Sequence, residues 1–338
     1  MSGEYSSGES GPNPKSYSSD LAQMNKRLNI SVSGKRLTIP AAALVALFSL
    51  APDLRAAVVF DEFSAYHHVQ VVDDRGIRTL SFNGSEETRM SVANPLLGHF
   101  EYTEYFHTPW VWNRDMKRVL MLGLGGGSIQ RSYQHFYTNV LVETVELDPM
   151  VVKVARQFFN VKESPKHKIH LADGRVFLKR TKNTYDAIVM DAYSTSRYGS
   201  SLPPHLTTKE FFTLVSEHLS TNGVLAYNVI GQLQGWRANT MGALYRTMKE
   251  VFPNVYLFPA NESRNVVIVA TKLPVKFDAA RVQREGAELI RKGQVKLPSF
   301  AMRLRAFQGN APANFAQSPV LTDDRAPVES LMRGAADE

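Results

Sequence analysis

The chain has 338 residues, 43% apolar and 21% charged, with a formal net charge of +7 and no cysteine. That is the composition of an ordinary folded protein with room for one large or two modest domains. The lack of cysteine excludes disulfides, thiolate metal sites and a cysteine nucleophile, and leaves the compartment open. The basic residues are scattered, so the charge reads as a solvated surface with no nucleic-acid face.

Residues 1–57 read as an extension. Positions 1–20 are rich in Ser, Gly and Pro and poor in apolar residues, a composition that disfavours a packed core. Lys35 and Arg36 then precede an apolar run at 39–50, too short to span a bilayer. The pattern is that of a targeting signal or of an amphipathic helix packed on the body. Cytoplasmic localisation is the default expectation, with export or membrane tethering through 35–57 as its rival.

From Val58 the pattern becomes strand-like. Residues 66–72 alternate, 73–76 turn, 77–82 alternate again, and Asn83-Gly84 is a hairpin turn pair. This predicts a small β-hairpin domain over 58–112, with a helix over 90–106. His67 and His68 fall on opposite faces of a strand and so cannot share a metal. Trp110 and Trp112 read as core or subunit interface.

The central region, 113–273, alternates regularly. Strands are expected over 119–122, 140–145, 169–171 and 187–190, with helices over 129–136, 150–159 and 175–178 between and around them. After Asp191 come a loop, a helix over 209–219, a strand over 224–229 and a helix over 237–251. A strand pair at 255–258 and 265–270 closes the region. Alternating strands and helices specify a doubly wound, mostly parallel α/β sheet of the Rossmann-like kind. The closing strand pair reads as an antiparallel edge. The last segment, 274–338, is expected to supply a helix and a tail that caps the site.

The chemistry concentrates at strand ends. A glycine-rich turn, with Gly123, Gly125, Gly126, Gly127 and Ser128, follows the first parallel strand, and Glu146 ends the next one. Glycines let a backbone approach a ligand closely, and an acid at that strand end suits the two hydroxyls of a ribose. Asp148, the pair Asp173-Gly174, and Asp191 follow at equivalent ends. Together they predict a nucleoside pocket. A dinucleotide oxidoreductase is a weaker alternative, because it leaves Asp173 and the Asp191 loop without a role.

These motifs carry a resemblance. Residues 123–131, 145–155, 172–178, 185–191 and 206–212, in a chain that is similar from Glu62 to about Leu331, resemble the spermidine/spermine synthase family. The resemblance implies an N-terminal β-hairpin domain on a methyltransferase-type sheet. The implied co-substrate is decarboxylated S-adenosylmethionine and the implied acceptor a small polyamine-type amine, with no metal and a homodimer as the working unit. It also implies that the glycine loop and Glu146 hold the nucleoside, that Asp173 meets the adenine amino group, and that Asp191 lies beside the reacting sulfonium. Tyr102 and Glu104 keep the family's Tyr-His-Glu pattern apart from Thr103, and with Asp191 they form the expected catalytic set. Glu87, Tyr193 and Ser194 are expected to contact the acceptor.

Three departures matter. Gly126 stands where the family has an aspartate, Ser194 stands where it has a second one, and Glu87 replaces a frequent glutamine. Arg197 would oppose a cationic substrate if turned inward. The altered loop also resembles synthase-like proteins that use intact S-adenosylmethionine for methyl transfer, and a catalytically altered nucleoside-binding protein is a third reading. The ending at 321–329 resembles bacterial synthase-like domains, and Asp323 and Asp324 are candidates to replace the missing acids. His205 is a candidate base or loop anchor.

Overall fold

The computed structural model describes residues 56–196, 199–231, 233–234 and 239–333. The targeting and disorder readings of 1–55, and the question of Arg197, lie outside the described residues. Among those described, no helix is long and apolar enough to cross a membrane.

Four antiparallel strands open the body: β1 (Ala57–Phe63), β2 (His68–Asp74), β3 (Ile77–Phe82) and β4 (Ser85–Ser91), paired in that order. Two tight turns set the register, pairing Asp74 with Ile77 and Phe82 with Ser85. Their central residues, Arg75-Gly76 and Asn83-Gly84, all have positive φ, the backbone that fits the strand twist. One face of this sheet, with Val69, Val71, Leu80 and Met90, packs on Leu124 and on Val151, Ala155 and Phe159. The hairpin sheet is thereby fixed against the glycine loop.

The helix expected over 90–106 is corrected. Met90 and Ser91 complete β4, because the Asn83-Gly84 turn returns the chain along β3. Gly98, at φ +79°, lies so close to Ser91 that a Cβ there would meet the Ser91 nitrogen at 2.7 Å, so no continuous helix passes through. Helical backbone starts only at Glu101, as a 3-10 helix over Glu101–Val111. Trp110 inside it and Trp112 just beyond it are buried core residues.

The main sheet has seven strands: β5 (Arg118–Leu122), β6 (Leu141–Glu146), β7 (His167–Leu171), β8 (Tyr185–Met190), β11 (Leu219–Ile230), β12 (Asn254–Pro259) and β13 (Asn265–Thr271). Their order is β12-β13-β11-β8-β5-β6-β7. The run from β11 to β7 is parallel, and β13 and β12 form the antiparallel edge. The central parallel strands β5 and β8 are largely buried and so mostly apolar, for example Val119, Leu120, Met121 and Leu122, whereas β6 and the edge strand β7 carry polar and exposed residues.

Crossover helices cover the faces: α1 (Ser128–Phe136), α2 (Pro149–Phe158), α3 (Gly174–Arg180), α4 (Lys209–His218) and α5 (Asn239–Lys249). The C-terminal part adds α6 (Ala279–Arg291), α7 (Phe300–Leu304) and α8 (Val328–Arg333). A short hairpin, β9 (Ser194–Ser196) with β10 (Gly199–Ser201), occupies the loop after β8.

The chain lays down β5, β6 and β7 in one direction, then returns to place β8 on the other side of β5. This switch point opens a crevice at the carboxyl ends of β5 and β8, where open α/β sheets bind ligands. The two ends touch. A Cβ at Gly123 would fall 2.1 Å from the Asp191 carbonyl oxygen, so only glycine fits there.

Candidate active site

A cavity of about 370 Å³ occupies that crevice, roofed by β4 and the turn before β2. Gly123, Gly125, Ser128, Glu146, Asp148, Asp173, Gly174 and Asp191 all line it, as do Tyr102, Glu87, Tyr193 and Ser194. The structure therefore gathers nearly every residue singled out from the sequence into one space. Gly127 and Glu104 lie outside the lining.

Gly127 acts from behind. At φ +72° it forms the left-handed cap of α1, and a Cβ there would meet the Val161 side chain at 2.3 Å. Glu104 is a correction to the expected catalytic set. A 3-10 helix turns once every three residues, so positions two apart face different ways. Tyr102 faces the cavity, while Glu104 turns to Arg303 Nε (2.6 Å) and His99 Nε2 (3.0 Å). Burial alone would raise its carboxyl, but His99, Ser299 and Arg303 outweigh that and hold it down to about 2. Arg303 also grips buried Glu101, so this cluster anchors the helix that carries Tyr102.

One end of the cavity centres on Asp191. Tyr102 OH donates to its Oδ2 (3.1 Å) and Asn228 Nδ2 to its Oδ1 (2.9 Å). Burial at the cavity wall pushes the carboxyl up to about 6, against these two hydrogen bonds and with help from the Glu87 charge. Such a group is mostly ionised at neutral pH yet ready to take a proton. Asn228 is itself fixed by Asn265 Nδ2 (2.9 Å), while the Tyr193 hydroxyl is fastened to the β11 backbone, donating to Asn228 O and accepting from Ile230 N. Glu87, on β4, accepts from Ser200 Oγ at 3.2 Å and so ties the hairpin sheet to β10.

Beside the glycine loop, Glu146 accepts from Leu124 N and Asp148 N, both at 2.9 Å, which binds that loop to the end of β6. Burial raises its pKa against those backbone donors. A carboxylate offers about four acceptor sites, so each oxygen retains capacity for a ribose hydroxyl. Asp148 is largely consumed. It caps α2 through Met150 N (2.8 Å) and accepts from Ser64 in the β1–β2 turn. Asp173 caps α3 through Val176 N (2.8 Å) and keeps Oδ2 for His205 Nε2 (2.9 Å), which makes His205 a loop anchor at the rim. His67, just before β2, stacks on Phe82 in the cavity lining, while His68, the first residue of β2, bonds Asp61. Among the described residues no cluster could hold a metal ion.

The departures have structural correlates. Gly126 is buried behind the loop, its N–H donating to Thr88 Oγ1 (2.9 Å). A Cβ there would meet Thr88 at 2.6 Å and Phe159 at 2.9 Å, so an aspartate has no room without movement of β4. Ser194 is exposed at the cavity edge. The tail does not replace the lost acids. Asp323 pairs with Arg175, and the described lining ends at Asn265, so the segment expected to cap the cavity packs elsewhere.

Sequence reasoning missed Thr88, Asn228 and Asn265. Asn228 left a readable signal, as the one amide inside the apolar run 224–229 of a buried strand.

Residues 99–264 match the family model described as the spermine/spermidine synthase domain. That stretch, just under half of the chain, is similar to the family whose motifs the sequence resembles. A polyamine aminopropyltransferase of Vibrio vulnificus is 27% identical over 228 residues, which cover 65% of this chain and 74% of that protein. A probable spermidine synthase structure from Corynebacterium glutamicum superposes with a TM-score of 0.57 at 22% identity, covering 75% of this chain and 96% of the other, a likeness of fold. An eEF1A lysine and N-terminal methyltransferase of Xenopus laevis is 33% identical over 156 residues, 44% of this chain but only 22% of that protein. Six carboxylates line the cavity: Glu86, Glu87, Glu146, Asp148, Asp173 and Asp191. Among the described residues no lysine or arginine lines it, although the chain as a whole is basic.

Proposed function

We propose that the chain is an aminopropyltransferase that takes decarboxylated S-adenosylmethionine as donor and a small di- or polyamine as acceptor. The observation that carries this reading is the acidic cavity, lined by six carboxylates and by no lysine or arginine among the described residues, in a protein of net charge +7. A sulfonium donor and an ammonium-bearing acceptor are both cationic, and charge-assisted hydrogen bonds to carboxylates suit both.

The residues fit the donor. Glu146 takes the ribose hydroxyls, Asp173 the adenine edge, and the glycine loop admits the nucleoside close to the backbone. When bound, the donor supplies a carbon already activated by its positive sulfur, so the amine nitrogen forms the new C–N bond as the C–S bond breaks and its electron pair stays on sulfur. The protein must align that amine and leave it unprotonated. Free alkyl amines hold their proton near pH 10, by the lysine reference of about 10.4. Asp191 accepts the amine proton at Oδ2, Tyr102 orients that oxygen, and Asn228 holds the other. Glu87 grips a second ammonium. We further place homodimer formation on the exposed edge strand β1, whose Val58, Val59 and Phe63 lie open.

A second reading, methyl transfer from intact S-adenosylmethionine, is favoured by one observation: Thr88 and Phe159 fill the space beside Gly126, leaving no loop acid to repel a donor carboxylate. The proposed reaction is tested with Asp191→Asn. Aminopropyl transfer to putrescine falls at least about a hundredfold, within the usual range for a general base, while donor affinity stays within about threefold. Full turnover in that variant overturns the assignment of Asp191.

A further inference from the structure

The stretch 321–329 does not enter the cavity, yet its path is tightly fixed. Leu321 is buried, donating its N–H to Thr247 Oγ1 (2.9 Å) and accepting from Lys209 N (2.8 Å). Thr322 and Arg325 close a tight turn through reciprocal backbone hydrogen bonds at 3.1 and 3.0 Å. The Asp323 N–H donates to Glu210 at 3.0 Å, which seats the turn on the first residues of α4.

The Asp323 carboxylate then takes both guanidinium nitrogens of Arg175, at 2.7 and 2.6 Å, and the hydroxyl of Thr208, the N-cap of α4, at 2.7 Å. Arg175 lies two residues after Asp173, in the first turn of α3. Its Nη1 also donates to the His205 carbonyl at 3.0 Å. His205 closes the chain by placing Nε2 on Asp173 Oδ2 at 2.9 Å. The other Asp173 oxygen is taken by Val176 N, so Oδ2 is the one that turns to the cavity rim.

We propose that Asp323 is a positioning residue for the nucleoside end of the cavity. It orients Arg175, Arg175 fixes the His205 segment, and His205 sets the free oxygen of Asp173. The inference rests on the reading of this cavity as an adenosyl site. Stability alone does not account for the arrangement, because partly exposed ion pairs contribute little to it. A bidentate arginine–carboxylate pair instead defines direction, which a positioning role uses.

The test uses the full chain, titration calorimetry with methylthioadenosine, and steady-state kinetics. Asp323→Asn raises the methylthioadenosine Kd about tenfold, the order expected when one charge-assisted hydrogen bond in a supporting layer is lost. Asp323→Glu, which keeps the charge, returns it to within about threefold of the parent, as a retained ion pair predicts. The acceptor KM and kcat at saturating donor stay within about twofold, because the chain touches only the nucleoside end. Arg175→Gln reproduces the Kd change, and the double variant is no worse than either single one, because the two act in series. An unchanged Kd in Asp323→Asn with a lowered melting temperature makes the turn a structural clip and overturns the inference. Additive losses in the double variant overturn it too. A parent protein that binds no methylthioadenosine overturns the adenosyl reading itself, an outcome distinct from both.

Discussion

Replacing Asp191 with asparagine should stabilise this protein at neutral pH while disabling it. The carboxyl sits at the cavity wall with its pKa raised by burial from 3.8 to about 6. A value raised in the folded state means that the folded protein binds the proton more tightly than the unfolded chain. The stabilising contribution is complete below about 3.8 and is lost as pH rises through about 6. A shift of that size corresponds to roughly 3 kcal/mol when both states are ionised. Asparagine carries no charge and is nearly isosteric. Its oxygen can still accept from Asn228, and its amide can donate to the Tyr102 hydroxyl. After a discount for cavity water, Asp191→Asn should gain about 1–3 kcal/mol at pH 7.5, and little at pH 4. For a chain of this size that is a rise in melting temperature of about 1.5–4 °C. Calorimetric melts of both proteins at the two pH values check it. An asparagine variant less stable than the parent by the same margin at both would refute the idea that Asp191 is a strained, functional acid.

Three further outcomes follow from the geometry. Glu146→Ala removes the carboxylate that both holds the glycine loop and faces the ribose, so methylthioadenosine binding should weaken by about 1.5–3 kcal/mol in calorimetry, or more if the loop shifts. Gly126→Asp drives a side chain into Thr88 and Phe159 and should cost about 1–3 kcal/mol in urea unfolding, partly recovered by Thr88→Ala. A chain beginning at Ala56 retains β1 and the whole body, and should match the full chain in solubility and nucleoside affinity; aggregation would show that the preceding residues are part of the body.

The sheet was legible because its signals are local and repeated. The central parallel strands are short apolar runs, and the candidate acids stand at or just beyond strand ends. Glu146, Asp173 and Asp191 converge because topology brings equivalent ends together. The 3-10 helix was less legible, since Met90 and the residues after it carry an apolar spacing that a helix would share. What decided against a long helix was the packing of Gly98 on Ser91, a contact between positions that spacing alone does not relate. Glu104 was misplaced for a similar reason. Its motif neighbour Tyr102 enters the cavity, but the helix type sets which way each side chain turns. Its partner Arg303 is far along the chain and carries no motif. The tail acids were candidates to replace the missing ones through the resemblance of the 321–329 ending, with a solvated turn as the alternative; Asp323 in fact pairs with Arg175.

The central claim is that the acidic cavity serves aminopropyl transfer between two cationic substrates. It is tested most directly by incubating the purified chain with putrescine and, in parallel, decarboxylated or intact S-adenosylmethionine, and identifying products by mass spectrometry. The account predicts spermidine and methylthioadenosine from the decarboxylated donor, and neither a methylated amine nor S-adenosylhomocysteine from the intact one. Methyl transfer from the intact donor, with no aminopropyl product from any diamine or polyamine, would contradict it.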